Sequence, residues 1–316
     1  MNKTIIHCKT TAPIFMAGAE TQSNEGRELV PELRVTGIKG CMRFIWRAIQ
    51  CADDVKKLRA AEGQLFGNAF GGKDNRQSDM RIRLMNMRFA AGMEVILPHR
   101  ELDEYKSEPG YDRGRTKAFS ARAIKSGSAF DVAISSFGEA ERHRDFVRLF
   151  ALTCLLYGFG RRSRKGFGTV MITGIDGVGG YRDVGGAVNY TFKGAEDNLN
   201  RLSIFGAEYS RPNDTMIRAI ARSPADYPYI ESIKIAGTLI FDHTEDIIGQ
   251  IGMAAHHHAG EIFLGTLKPH FASSALLSTM PWDNDNYCCV VTQLHCTNPF
   301  TLAKRDEFYE ELDGRV

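Results

Sequence analysis

The feature of the sequence that most restricts the possible folds is a glycine-rich, basic run of eleven residues, Gly158 to Gly168. It holds four glycines, four cations and no acidic residue, and it separates an apolar segment at 146–157 from a strand-like segment at 169–175. Glycines let the backbone turn sharply and approach a ligand with its N–H groups exposed. The run therefore predicts a tight turn between a helix and a strand.

The cations of this run, which we call the glycine loop, suggest a ligand with many phosphates. Arg161, Arg162, Arg164 and Lys165 occupy four of five consecutive positions. A loop that holds a small phosphorylated molecule rarely needs so much charge, whereas a nucleic acid presents a chain of phosphates. The alternative interpretation is a solvated basic turn, but flanking glycines and phenylalanines are not typical of a simple charged run.

Composition limits the remaining possibilities. The chain has 316 residues, of which 43% are hydrophobic and 25% are charged, so it is long enough for two soluble domains. The formal net charge of only +2 means that any nucleic-acid surface must be local. No apolar stretch is long enough to span a membrane, and the N-terminus does not resemble a signal peptide. The seven cysteines include no CxxC pair, so we expect reduced thiols, a cytoplasmic location, and no metal or cofactor.

The first half of the chain has a strand and helix pattern that can be read in order. One predicted helix, 37–50, has Ile38, Met42, Ile45 and Ile49 on a single apolar face and Lys39, Arg43 and Arg47 in a separate basic stripe. Strands are predicted at 3–10, 81–89, 129–137 and 169–175, and a second helix at 142–157. The order βαββαβ is the ferredoxin-like arrangement.

Two segments interrupt this pattern. The polar segment 98–128 carries five cations and no acid between positions 113 and 125, and it is either a loop that contacts RNA or a solvated insertion. Five glycines at 177–190 predict a linker. Beyond it, strands are predicted at 229–239, 275–280 and 287–296, and helices at 242–259 and 304–312.

We therefore predict an α+β protein with two ferredoxin-like (RRM-like) βαββαβ domains, each with an antiparallel sheet. The N-terminal domain covers 1–176 and includes the glycine loop. The linker covers 177–190, and the C-terminal domain covers 191–316.

Four stretches of the first half together resemble a known family. They are Thr11 to Gly18, Pro31 to Arg47, Leu65-Phe66-Gly67, and the glycine loop. As a set they resemble the RAMP superfamily of CRISPR proteins, and within it the family of first subunits of the type III-B Cmr effector module. The resemblance covers most of residues 5–175 and is weaker in the second half.

The resemblance implies a role in a ribonucleoprotein that uses a guide RNA to recognise complementary target RNA. Its partners would be the CRISPR guide RNA, the target RNA and other RAMP subunits of the Cmr effector complex. Such a subunit lies near the 3′ end of the guide and helps to capture the target. RNA-binding roles carry over to nine residues: Lys39, Arg43, Arg47, Arg161, Arg162, Ser163, Arg164, Lys165 and Gly166.

The same resemblance raises the question of catalysis, because some RAMP relatives are endoribonucleases. One type relies on a histidine as a general acid or base, and the other on an aspartate in the loop after the first strand. Here no histidine lies between His7 and His99, and no aspartate precedes Asp53. We therefore expect a non-catalytic subunit with no catalytic residues. The alternative is a RAMP-type endoribonuclease that processes CRISPR RNA.

Three other features are better explained by structure than by chemistry. Adjacent residues on a helix point about 100° apart, so His256, His257 and His258 cannot all face one metal ion, and we expect them at a helix end. Trp46 lies between the two faces of its helix and is expected in the core rather than stacked on bases. Phe159 and Phe167 are expected to anchor the glycine loop.

Overall fold

The fold is described from a computed structural model. It describes residues 1–17, 30–68, 76–96, 120–177, 190–220, 227–258, 264, 266–267, 270–283, 285–295 and 302–312. Apart from its two end residues, the predicted linker at 177–190 lies outside these ranges.

The first half is built on a four-stranded antiparallel sheet. Its elements run β1 (Asn2–Thr10), α1 (Val35–Ile49), β4 (Met80–Arg88), β7 (Ala129–Ser136), α3 (Ala140–Leu156) and β8 (Val170–Gly177). The strands are ordered β4-β7-β1-β8. This succession of strands and helices is the one predicted from the sequence.

Smaller elements are inserted into this succession. Helix α2 covers Val55–Phe66, and two short ribbons pair β2 (Gly67–Asn68) with β3 (Arg76–Gln77) and β5 (Ala91–Val95) with β6 (Ser120–Ile124). The sequence analysis treated 98–128 as a loop, which is wrong for 120–124. Residues 97–119 of that segment lie outside the described ranges.

The second half has a five-stranded antiparallel sheet ordered β14-β15-β11-β10-β9. Its elements are α4 (Phe192–Leu202), β9 (Tyr209–Asn213), β10 (Met216–Ala219), β11 (Ile230–Phe241), α5 (Thr244–His257), β12 (Thr266–Leu267), β13 (His270–Phe271), β14 (Ala275–Pro281), β15 (Tyr287–Leu294) and α6 (Leu302–Leu312). The overall architecture is therefore mixed helix and strand with antiparallel sheets.

The second sheet departs from the predicted βαββαβ order. In the first sheet the last strand, β8, pairs beside the first strand, β1. In the second sheet the equivalent place beside β11 is taken by β10, which precedes β11 in the chain. Strands β9 and β10 form a hairpin, and the side chain of Asn213 accepts a hydrogen bond from the backbone N–H of Thr215 at 3.0 Å in its turn. Because β10 already pairs with this edge of β11, it takes the place that a strand after α6 would have in the βαββαβ order.

Helix α3 is the centre of the molecule. Twelve of its 17 residues are buried, because it packs against the first sheet through β1, β7 and β8 and against the second sheet through β14 and β15. From Phe146 to Leu156 the helix is apolar except at Arg148 and Thr153, as is typical of an enclosed core helix. Apolar side chains of both halves consequently form one continuous cluster. None of the helices in the described ranges is long and apolar enough to cross a membrane.

The glycine loop closes directly after α3. The backbone N–H of Phe159 donates to the carbonyl of Gly168 at 2.8 Å, and Gly168 donates to the carbonyl of Pro13 at 2.9 Å. A Cβ added to Gly158 would lie 1.9 Å from the carbonyl oxygen of Phe167, so the two ends of the loop meet too closely for a side chain. Phe159 and Phe167 are buried, which confirms that they anchor the loop.

We predict that Gly158→Ala destabilises the protein, whereas Gly40→Ala does not. The alanine methyl at 158 has to displace the backbone at Phe167, which we expect to cost about 1–3 kcal/mol or more. Gly40 lies in α1 with open space around its Cβ position, so alanine there should stabilise the protein by up to about 1 kcal/mol. Urea unfolding of both variants tests the difference. Equal stability of the two variants would show that the loop ends are not held together.

Candidate nucleic-acid interface

The glycine loop lies between the two halves of the molecule. The backbone N–H of Arg161 donates to the carbonyl of Phe15, in the segment that follows β1, at 2.9 Å. On the other side, Gly166 donates to the carbonyl of Leu277 on β14 at 2.9 Å, and Leu277 donates back to Arg164 at 3.2 Å. The loop is thus tied to both halves by its own backbone.

A cluster of buried hydroxyl groups supports the base of the loop. Thr11, Thr169 and Thr279 come from three segments, and their side-chain oxygens lie 2.7 to 3.1 Å apart. The hydroxyl of Thr244, at the start of α5, donates to the carbonyl of Thr11. Because these hydroxyls satisfy one another away from water, the cluster fixes the position of the loop between the sheets.

The four cations of the loop differ in their exposure. Arg161 is exposed, whereas Arg162, Arg164 and Lys165 are partly buried. Within the described part of the chain, two nitrogen atoms, Nε of Arg162 and Nζ of Lys165, are buried without a hydrogen-bond partner. Arg162 also has a backbone φ of +57°, a left-handed conformation that is uncommon for residues other than glycine.

Burial perturbs the ionisation of Lys165. Loss of water contact, followed by repulsion from Arg162 and Arg164, lowers the pKa of Lys165 to about 7. Burial alone lowers the pKa of Arg162. A buried cation without a partner is unfavourable, and such groups gather where an anion is to be bound. The loop therefore has the charge, the free N–H donors and the enclosure that a phosphate group requires.

Arg164 and the remaining loop residues connect the site to its surroundings. The guanidinium of Arg164 lies 4.8 Å from the ring centre of Phe44 on α1, and it donates to the carbonyl of Ser273. Ser163 is buried. Gly166 has a φ of +84°, and a Cβ there would lie 3.2 Å from the side chain of Ile251 on α5. These contacts bring α1, the loop and the second half together.

The basic stripe of α1 is held by a carboxylate that the sequence analysis missed. Oε1 of Glu62, on α2, accepts hydrogen bonds from Nε of Arg43 at 2.6 Å and from Nη1 of Arg47 at 2.7 Å. Nε of Arg47 also donates to the hydroxyl of Tyr227 at 2.8 Å. Within the described residues, Lys39 has no carboxylate partner, and burial, followed by repulsion from Arg43, lowers its pKa. The stripe is therefore less positive than its sequence indicates.

Helix α1 and the glycine loop are neighbours in the structure. Sγ of Cys41 lies 3.8 Å from the carbonyl of Gly158, and Arg164 lies over Phe44. The apolar face of α1 is buried as predicted, and Trp46 is only 3% exposed, which confirms its place in the core. The structure thus places the two predicted basic groups on adjacent segments.

A second polar constellation, absent from the sequence analysis, lies on the first sheet. Nδ1 of His7 contacts Asp131 on β7, and its Nε2 contacts Asp176 on β8, both at 2.8 Å. Asn86 on β4 donates to the other oxygen of Asp131 at 2.6 Å. Hydrogen bonds to Asp176 first and to Asp131 second raise the pKa of His7. Strand alternation places this cluster on the side of the sheet away from α1 and α3.

The consecutive histidines have structural partners. His257 and His258 contact the two carboxylate oxygens of Glu311 on α6 at 2.7 and 3.1 Å, and α5 ends at His257. The predicted place at a helix end is therefore confirmed. Across the described ranges, no three His, Cys, Asp or Glu side chains are arranged as a metal site.

The chain was compared with known families and structures. A sequence model of the RAMP superfamily matches residues 7–170, just over half of the chain. A search of curated protein sequences finds no match. The crystal structure of apo Cmr1 from Pyrococcus furiosus has a TM-score of 0.59 and 16% identity, with coverage of 100% of this chain and 97% of that chain.

Two cryo-EM structures of the Type III-B Cmr-beta bound to cognate target RNA also match. The first has a TM-score of 0.55 and 10% identity, and covers 98% of this chain and 98% of that chain. The second, which is also bound to AMPPnP and was obtained in the presence of single-stranded DNA, has a TM-score of 0.53 and 11% identity and covers 100% of this chain and 98% of that chain. At these identities the likeness shows a shared fold.

We predict that Lys165→Met stabilises the protein while it weakens RNA binding. The pKa of Lys165 falls from 10.5 to about 7 on folding, so its charge opposes folding more strongly as pH falls from about 10 to 7. The variant should melt about 2–6 °C higher at pH 7, with a gain that disappears above pH 10.5. RNA affinity should fall about tenfold.

Arg161→Met is the matched control, because Arg161 is an exposed cation of the same loop. It should weaken RNA binding without raising the melting temperature. Melting curves from pH 6 to 11 and RNA titrations test both variants. A Lys165→Met protein that melts lower and binds RNA normally would show that the ammonium group is structural.

Proposed function

The chain belongs to the RAMP superfamily, and we propose that it is a non-catalytic RNA-binding subunit of a type III-B CRISPR (Cmr) effector complex. In this proposal it contacts the guide RNA near its 3′ end and helps to capture target RNA. Its partners are these RNAs and other RAMP subunits. The full-length likeness to Cmr1 and to Cmr-beta chains supports the assignment.

The single observation that carries the proposal is the set of buried cations in the glycine loop. Nζ of Lys165 and Nε of Arg162 are buried and have no hydrogen-bond partner among the described residues, and Arg162 and Arg164 repel the charge of Lys165. An anion that enters the loop would relieve this repulsion while Lys165 keeps its charge. Phosphates of a nucleic-acid chain supply such anions at regular intervals, and α1 extends the surface through Lys39.

We also infer that the second half is a modified ferredoxin-like unit. Strands β11, β14 and β15 with α5 follow the order of the first half, and β10 takes the place that β8 has beside β1. The glycine loop is hydrogen-bonded to β14 of this unit. The RNA surface would thus be shared between two related units.

A non-catalytic role agrees with the state of the described histidines nearest to the first strand. Both ring nitrogens of His7 are held by carboxylates, so neither is free to exchange a proton with RNA. His143 is enclosed by Thr4 and Ser136, and burial lowers its pKa to about 4. Glu20, Glu25 and Glu28, three acidic residues between β1 and α1, lie outside the described ranges.

We predict RNA binding that is mainly electrostatic. If Lys39 and the four cations of the loop, which are not paired with Glu62, each neutralise a phosphate, the logarithm of the binding constant should fall with the logarithm of salt concentration with a slope of about −3.5. Lys39→Ala and Arg161→Ala should each reduce the slope by about 0.7. Filter binding to a single-stranded RNA measures this slope.

Arg218→Ala is the control for loss of charge. Arg218 is exposed on β10, three strands away from β14, so its removal should leave the slope unchanged. A slope near zero for the wild type, or equal effects of all three variants, would contradict a specific phosphate surface.

We predict that the isolated chain cuts neither guide-like nor target-like RNA. The expected result is intact RNA after incubation with EDTA or with divalent metal, because the described residues supply no positioned acid and base. Denaturing gels with end-labelled RNA test this. Specific cleavage in EDTA that is lost in Glu25→Ala or Glu28→Ala would instead establish the processing endoribonuclease.

A further inference from the structure

The side of the first sheet that faces away from α1 and α3, which we call the open face, carries residues with no role in the site described above. Strand pairing places Lys3 of β1 beside Ser135 of β7 and Arg81 of β4 beside the same Ser135. Two residues along β4, Arg83 pairs with Ala133. At the other end of the sheet, Lys9 and Arg88 flank Ala129. The open face thus carries five basic residues: Lys3, Lys9, Arg81, Arg83 and Arg88.

We propose that the open face is a second binding surface for single-stranded nucleic acid. The glycine loop lies on the other side of the sheet, where α1 and α3 pack, so the two surfaces are separate. The inference does not depend on the proposed function, since it rests on residues of β1, β4, β7 and β8 alone.

The charges of the open face are complementary to a polyanion. Within β1, β4, β7 and β8, five cations share the face with two carboxylates, Asp131 and Asp176. Both carboxylates are bound to His7, and Asp131 is also bound to Asn86. Among the described residues, Lys3, Lys9, Arg81 and Arg83 form no ion pair. The acids are therefore occupied within the protein, and four cations remain available to phosphates.

An exposed aromatic side chain favours nucleic acid over an acidic protein segment. Phe137, at the end of β7, is 52% exposed, and the guanidinium of Arg81 lies 5.3 Å from its ring centre. Aromatic rings and guanidinium planes stack on unpaired bases of any sequence. The central positions of the face are filled by His7 and Asp131 rather than by aromatic residues, so we expect binding with little sequence preference.

His7 has a positioning role in this proposal. Its imidazole joins three strands, because its two ring nitrogens hold Asp131 on β7 and Asp176 on β8. Replacement by glutamine retains a polar side chain but removes the imidazole that bridges Asp131 and Asp176. The His7→Gln variant should bind RNA several-fold more weakly at the open face and with unchanged affinity at the glycine loop.

The experiment maps RNA contacts on the full-length chain. Oligouridine containing 4-thiouridine is cross-linked to the protein, and the cross-linked peptides are identified by mass spectrometry. In a second measurement, the extent of chemical acetylation of Lys3 and Lys9 is compared with and without RNA. Cross-links are expected in two groups, one in residues 158–168 and the other in β4 or at Phe137. RNA should protect Lys3 and Lys9 from acetylation. Arg81→Ala/Arg83→Ala should abolish the second group, whereas Arg81→Lys/Arg83→Lys should largely retain it.

The outcomes separate this proposal from the proposed function. Cross-links confined to 158–168, with Lys3 and Lys9 acetylated equally with and without RNA, would overturn the second surface and leave the first intact. Loss of the 158–168 cross-links alone, with the open face still protected, would contradict only the proposed function. If oligoglutamate protects Lys3 and Lys9 and oligouridine does not, the open face docks an acidic protein and the proposal is wrong.

Discussion

Burial of helix α3 between the two sheets is the constraint on which the rest of the structure depends. Twelve of its residues are buried, and its contacts extend to β1, β7 and β8 on one side and to β14 and β15 on the other. The chain that leaves α3 therefore emerges between the two sheets. The glycine loop has to turn there, and its backbone bonds to Phe15 and Leu277 follow from that position.

The position between the sheets also determines the chemistry of the loop. In water, four neighbouring cations are easily solvated, but in this loop Arg162, Arg164 and Lys165 are partly buried, and the two arginines repel the lysine. The depressed pKa of Lys165 and the unpartnered Nε of Arg162 are direct consequences. Groups of this kind reduce stability, and proteins tolerate such losses where function requires them. A bound phosphate chain would supply the opposite charge and so recover the lost stability.

Local periodicity was enough to predict the four strands of the first sheet and the helices α1 and α3. The 3.6-residue repeat of α1 and the alternation of β1 each mark a buried face, and the glycines at 158 and 168 mark the closed turn. Contacts between distant segments were not predictable from such patterns. His7 meets Asp131 and Asp176 across more than a hundred residues, although strand alternation alone would have placed His7 with Lys3 and Lys9. The rearranged second sheet was missed because β9 and β10 are short, and β9 contains Pro212.

Helix α2 was missed for a different reason, although a signal for its start was present. Asp54 caps the helix by accepting from the backbone N–H groups of Lys56 and Lys57, but the apolar pattern that follows is weak. Without α2, Glu62 could not be placed beside Arg43 and Arg47, so the basic stripe of α1 was predicted to be more positive than it is.

The most direct test of the account is a structure of the chain bound to single-stranded RNA. The account predicts a phosphate oxygen within about 3 Å of Nζ of Lys165, in a loop that keeps its backbone bonds to both halves. A complex in which RNA contacts the protein elsewhere and Lys165 remains without an anion would contradict it.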